Sequence, residues 1–323
     1  MKDIKLYYEF TGPFKDYIEE FIKNKQYEGN QFGKSIQCRW HTFCNELNIL
    51  TDKPTITEEI AWEINTLKDN ETPGTRYRIA LCCRELATFI NNLGKESYIL
   101  PIVSINRPAY HFVPYVLSHS QMKLIFENLD NQSNTNRFDI AFPIFIRLLY
   151  STGIRLGEAT NLKNQDINFD DLTITIRESK NNKTRVIPLS ISMFECLQRY
   201  LDKFPNNKLD DYIFSADENS KYSHSYLLRK IKYIYIEIGI RKTQYGKIPN
   251  LHSLRHTFAI HTLEKMNANG KNSYNSIALL CQYLGHKSIN ETEKYLRIPQ
   301  YKYDGIEQDK LFSNKIPEVL YEE

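Results

Sequence analysis

The chain has 323 residues, 41% of them hydrophobic, 25% charged and 13% aromatic, which supports a substantial core and excludes a disordered chain. Its 42 Lys and Arg stand against 39 Asp and Glu, a net charge of +3, so total charge alone does not announce a polyanionic partner. There is no run of about 18 apolar residues to span a membrane, and MKDIKLYYEFTGPFKDY lacks the basic head and apolar middle of an export signal, so a cytoplasmic protein without membrane association is expected. The six cysteines, Cys38, Cys44, Cys82, Cys83, Cys196 and Cys281, form no CxxC pair and read as reduced, mostly buried thiols.

The first hundred residues carry helical periodicity only. FKDYIEEFIKNK, FGKSIQCRWHTFCNELNIL, TEEIAWEINTL and TRYRIALCCRELATFINNLG place apolar side chains at three- and four-residue steps. Gly29, Gly33, TDKP at 51–54 and ETPG at 71–74 read as stops between them, Thr57 before Glu58 and Glu59 as a helix start, and Gly94 as the last helix's end. These four helices predict a bundle over 1–107. YILPIVSINRPAYHFVPYVLS, with three prolines and no helical period, predicts an extended linker, set at 108–117; one domain with a long internal loop is the alternative.

The second domain, 118–323, starts with LSHSQMKLIFENL, where Ser118 or Ser120 can cap a helix. FDIAFPIFIRLLYSTG reads as a buried helix ending near Gly153, and IRLGEATNL starts another. LTITIRESKNNKTRVIPLS is the one clear β element, two β-rich strands around the turn residues KNNK. Helices follow at SMFECLQRYLDKF, SYLLRKIKYIYIEIGI, LHSLRHTFAIHTLEKM, NSIALLCQYLG and around NETEKYL, with MNANGKNSYNS read as an extended polar loop. The whole is mainly α with a small β-sheet, an α+β chain.

Four segments carry candidate chemistry. In TGIRLGEATNL, Arg155 and Glu158 are three apart, so the carboxylate can hold the guanidinium; a surface ion pair is the plain alternative. In LHSLRHTFA, His252 and Arg255 point the same way from one helical turn. His252 and His256 lack the glutamate of HExxH and a third ligand, so no metal site is expected. Lys180, ahead of the hairpin turn, is by itself an ordinary solvated residue. LGHKSINETEKY puts His286 beyond a helix end and Tyr295 on the next helix, where a buried, hydrogen-bonded tyrosine is the plain alternative. Taken together, two guanidiniums, a lysine, two imidazoles and a phenol are a set for handling a phosphodiester without a metal. The guanidiniums can clamp the non-bridging oxygens, the phenol can attack phosphorus, and the lysine can protonate the departing oxygen.

These segments resemble the tyrosine recombinase (phage integrase) family: TGIRLGEA its first-arginine box, LHSLRHTFA its His-x-x-Arg box, and LGHKSINETEKY the segment joining the third basic residue to the nucleophile. The resemblance covers about 114 to 297, and the stretch between Arg255 and His286 is longer here than is usual in the family. It implies a helical core-binding domain followed by a catalytic domain. It further implies that Tyr295 forms a 3′-phosphotyrosine, that Arg155 and Arg255 hold the scissile phosphate, and that His286 adds a hydrogen bond. His252 would assist proton transfer, Lys180 would protonate the leaving 5′-oxygen, with Lys183 in the same turn as the alternative, and Glu158 would orient Arg155. No cofactor is expected, and no metal or ATP. A type IB topoisomerase, which shares the tyrosine chemistry, is the alternative reading.

Lys221 to His256 holds eight Lys or Arg and one acidic residue, Glu237, so Arg229, Lys230, Lys232, Arg241 and Lys242 are expected to face duplex DNA at a recombination site. The tail after Tyr295 carries the apolar anchors LFSN and IPEVLY, which are expected to dock on a neighbouring protomer in dimers and tetramers on DNA.

Overall fold

The computed structural model describes residues 4–30, 32–69, 71–105, 114–132, 136–177, 184–205, 208–215, 220–240, 242, 248–268, 273–286, 288–289 and 292. It divides into two compact units, residues 1–111 and 112–323.

In the first unit the helical spacing of apolar residues produces four buried stripes. α1 (Lys15–Tyr27) buries Ile18, Phe21 and Ile22, and α2 (Lys34–Leu50) buries Trp40, Phe43, Cys44 and Leu47. α3 (Glu58–Asn65) buries Ala61 and Ile64, and α4 (Pro73–Asn92) buries a row from Ile79 to Ile90. Trp40 lies at the centre, its ring 4.6 Å from Phe21 and 5.8 Å from Phe43. Thr57 caps α3 by accepting from the Ile60 N–H. ETPG does more than separate two helices, because Thr72 caps α4 and Pro73 is its first residue, where a missing N–H is no loss. Arg76, buried just inside α4, is held by Glu71 at 2.6 Å and Glu46 at 2.8 Å, the pairing that burial of a charge demands. In the stretch read as a linker, Ile102–Ser104 forms a 3-10 turn, and Leu100 and Ile105 join this core.

The second unit is built on α6 (Arg137–Thr152), buried around most of its circumference by Phe138, Phe142, Phe145, Ile146, Leu148 and Leu149. α5 (His119–Asp130) precedes it, capped by Ser118 in a reciprocal arrangement with Gln121. After α6 come α7 (Leu156–Thr160) and three strands, β1 (Ile167–Asn168), β2 (Thr173–Ile176) and β3 (Arg185–Pro188), antiparallel in that order. Ile174 pairs with Ile187 and Ile176 with Arg185. β1 is a correction to the single hairpin expected; two residues are too few to show a period. α8 (Ile191–Lys203), α9 (His224–Glu237), α10 (His252–Ala268) and α11 (Ser273–Leu284) complete the unit.

The polar stretch 266–276 is mostly helix rather than an extended loop, since α10 continues to Ala268 and α11 begins at Ser273. Ile260 and Leu263 of α10 pack with Ile277, Leu280 and Leu284 of α11, and this packing overrides the weak helix propensity of the asparagines. Five of the six cysteines are buried, Cys38 is exposed, and all six are free thiols.

α6 stops at Gly153, whose φ of 61° is the left-handed cap. A Cβ there would sit 2.3 Å from the Phe258 ring of α10. Gly153→Ala is expected to lose about 2–5 kcal/mol in urea denaturation, from the left-handed backbone and the ring displacement together.

Candidate active site

Four chain segments converge at the C-terminal end of α11. Gly153 reverses the chain after α6, Ile154 is buried beside it, and Arg155 becomes the residue that caps α7. The Arg155 N–H donates to Glu158 Oε2 at 2.9 Å, and its Nη1 donates to Oε1 at 2.8 Å, so one carboxylate fixes both backbone and guanidinium. Arg155 Nη2 reaches the Gly285 carbonyl at 3.5 Å. On α10, His252 opens the helix with its N–H donating to Asn250 Oδ1, and Arg255 follows one turn later. Arg255 is buried; its Nη1 donates to the Gly153 carbonyl and its Nη2 to the Leu284 carbonyl, each at 2.8 Å. The two arginines therefore meet consecutive carbonyls, Leu284 and Gly285. Gly285 adopts a φ of 65° and delivers His286, whose Nδ1 lies 2.7 Å from Thr292 Oγ1.

The electrostatics follow from this packing. Burial acts to raise the pKa of the Glu158 carboxyl, but the hydrogen bonds and charges of Arg185 and Arg155 outweigh it and hold the group below the usual carboxylate range. His286 is pushed down to about 3, by burial first and then by the charges of Arg255 and Arg155. Desolvation, then Arg255 and Arg155, take His252 down to about 4. His252 as a whole residue is exposed, yet the two guanidinium charges act in the same direction as desolvation. Both imidazoles are neutral near pH 7, so each offers one ring nitrogen as acceptor and one as donor. Within the cluster three guanidiniums stand against one carboxylate, giving a positive site suited to an oxyanion.

The sequence missed one member, Arg185 on β3, whose Nη1 and Nη2 donate to Glu158 Oε1 and Oε2 at 3.1 and 2.7 Å. Its signal was its strand register: it shares a face with buried Ile187 two positions on, an unusual place for a charge without a partner. Tyr295, Lys180, its alternative Lys183, and Arg241 lie outside the described residues. Arg229 and Lys232 are exposed on α9, Lys230 is partly buried, and Lys242 is exposed after the helix. The Arg229 guanidinium lies 5.4 Å from the centre of the exposed Tyr226 ring.

Among the described residues, His119, His261 and Glu264 place ligand atoms within 4.8 Å of one another. The two imidazoles are stacked, with ring centres 3.9 Å apart and planes inclined by 21°. Stacked rings direct their lone pairs side by side rather than at one point, a poor fit to tetrahedral ligation. The Tyr150 hydroxyl lies 2.9 Å from His261 Nδ1, so this group is part of the packing between α5, α6 and α10.

Comparison with known proteins bears on this arrangement. A Sinorhizobium fredii protein named as an integrase/recombinase, y4rB, is 31% identical over 153 residues, 46% of this chain and 49% of its own length. Tyrosine recombinase XerA of Pyrococcus furiosus is 28% identical over 206 residues, 63% of this chain and 65% of that protein. This chain thus spans about half of the first relative and just under two thirds of the second. The fold is similar to that of XerH site-specific recombinase bound to palindromic difH substrate, with a TM-score of 0.68 and 19% identity over 90% of this chain and 83% of that one. It is also similar to a lambda integrase dimer bound to a COC′ core site, with a TM-score of 0.66 and 18% identity over 96% and 82% of the two chains. The family model for the phage integrase family matches residues 115–300, more than half of the chain and all of the cluster described above. This chain belongs to the phage integrase family.

Proposed function

We propose that the protein is a site-specific DNA recombinase that cuts and rejoins strands of duplex DNA through a 3′-phosphotyrosine. The observation that carries the reading is the mooring of Arg155 and Arg255 to the consecutive carbonyls of Gly285 and Leu284, beside two neutral imidazoles. Relatives named as recombinases, and solved neighbours bound to recombination sites, support it over a topoisomerase. In this reading Arg155 and Arg255 hold the non-bridging oxygens of the scissile phosphate, and His286 donates a further hydrogen bond. The Tyr295 oxygen bonds to phosphorus as the bond to the 5′-oxygen breaks. Neutral His252 accepts the phenolic proton, and Lys180 gives a proton to the departing 5′-oxygen. The new phosphotyrosine conserves the diester's energy, so attack by a 5′-hydroxyl of a partner duplex rejoins the strands with neither ATP nor a metal consumed. Arg229, Lys230, Lys232, Arg241 and Lys242 hold the duplex backbone. The protein works in the cytoplasm.

A randomised pool of nicked suicide duplexes tests the reading, because a strand cannot be rejoined once the short fragment bearing its 5′-hydroxyl has diffused away. A protein–DNA band that survives denaturant and is indifferent to EDTA is expected. No adduct across the pool, or cleavage that EDTA abolishes, refutes it.

Residues 305–323, outside the described set, form the dimer and tetramer contact in this reading. Deleting them is expected to leave cleavage of a suicide duplex within about threefold while full recombination falls roughly tenfold or more, because simultaneous engagement of protomers is lost. Equal recombination and equal self-association after the deletion would refute the docking role.

A further inference from the structure

Arg185 has no part in the mechanism above, yet it is bonded to two of that mechanism's supports. Its side chain is 13% exposed. Its two terminal nitrogens form a fork on the Glu158 carboxylate, at 3.1 and 2.7 Å, and its Nε donates to the Tyr283 carbonyl at 3.1 Å. A Cβ on Gly285 would come 3.2 Å from Arg185 Nη1, so the guanidinium also packs directly on the turn that delivers His286. The residue thus bonds β3, α7 and the end of α11 to one another. The planar guanidinium can do this because its donors point in three fixed directions; a lysine has no such fork. A side chain committed to these acceptors is poorly placed to hold a phosphate oxygen as well.

Resting on the recombinase reading, we propose that Arg185 is a positioning residue. It locks Glu158 against Arg155 and braces the 283–286 turn, so that Arg155 and His286 keep a fixed spacing. The charged groups acting on the Glu158 carboxylate are Arg185 from β3 and Arg155 from its own turn. Without Arg185 that carboxylate loses its leading stabilising partner, its pKa rises, and it takes up a proton at a higher pH.

The test is single-turnover cleavage of the suicide duplex at saturating DNA by the wild type, Arg185→Met, Arg185→Lys, Glu158→Gln, and Glu158→Gln with Arg185→Met. Arg185→Met is expected to bind duplex within about threefold of wild type and to cleave roughly 100-fold more slowly, a loss in the chemical step and not in binding. Its acid limb is expected to lie at higher pH than that of the wild type, and Arg185→Lys should recover part of the rate. In the Glu158→Gln background, adding Arg185→Met should cost less than about threefold more, since the two residues act as one unit. If Arg185→Met does not fold, as judged by circular dichroism, the same comparisons are made with Arg185→Lys, whose expected loss is about tenfold. Wild-type cleavage rates in these variants, an unmoved pH profile, or fully multiplicative losses with Glu158→Gln would overturn the inference. Weaker binding with a shallower salt dependence would also overturn it, by making Arg185 a phosphate contact. A wild-type protein that forms no adduct defeats the recombinase reading along with it, whereas a wild-type adduct with undiminished Arg185→Met cleavage defeats this inference alone.

Discussion

Tyr295→Phe is expected to form no covalent protein–DNA adduct on a suicide duplex, while its affinity for uncut duplex stays within about twofold of wild type. The substitution deletes a single oxygen, keeps the ring, and removes the atom that bonds to phosphorus in the proposed mechanism. A free phenol has a pKa of about 10, so it reacts only where positive charge and a proton acceptor favour the phenolate. In the proposed mechanism the cluster of Arg155, Arg255 and neutral His252 supplies both. Other tyrosines lie close in sequence, which makes the control informative. Tyr283 stacks on Phe258 with ring centres 5.5 Å apart, and burial raises its pKa, so its hydroxyl is a poor nucleophile. Tyr283→Phe should therefore still form the adduct. An adduct that persists in Tyr295→Phe, or whose modified peptide maps to Tyr301 or Tyr303, would remove Tyr295 from the mechanism.

The second large effect is expected at Arg255. Arg255→Ala leaves the buried carbonyls of Gly153 and Leu284 without these donors, and an unsatisfied buried polar group costs about 1–3 kcal/mol. The variant should thus lose about 2–6 kcal/mol in urea denaturation, on the same principle applied to two groups. Cleavage should fall by at least about 100- to 1,000-fold, the usual consequence of losing one donor to a developing oxyanion. Arg255→Lys separates the two roles. In the proposed mechanism it keeps a positive charge at the phosphate, but its single nitrogen cannot take the places of both Nη1 on the Gly153 carbonyl and Nη2 on the Leu284 carbonyl. It should keep more cleavage than Arg255→Ala while showing a comparable loss of stability. Near-native stability and cleavage in Arg255→Ala would show that the two carbonyl bonds are incidental.

Much of this was readable from the chain because local rules and tertiary packing agree. The helices of the first unit follow their apolar spacing, and Thr57, Ser118 and Gly153 mark helix ends with the chemistry that each end requires. Arg155 and Glu158 could be paired from their spacing, since both belong to one turn. The readings that failed were those decided by distant contacts. The polar stretch after Lys265 is helical at 266–268 and from 273 on because α10 and α11 pack on each other, and no local pattern says so. Arg185 is 27 positions from Glu158, so no periodicity links the two. What the sequence conveyed about the site was its list of reactive groups; what it withheld was the framework that holds them.

Arg155 and Arg255 are both moored at the C-terminal end of α11. Leu284 and Gly285 are neighbours in the chain, so a displacement of that turn carries Arg155 and Arg255 along in step. Their mutual spacing survives such a displacement. In the proposed mechanism the anion cradle thus shifts as one body with the end of α11, instead of losing its arginines one at a time.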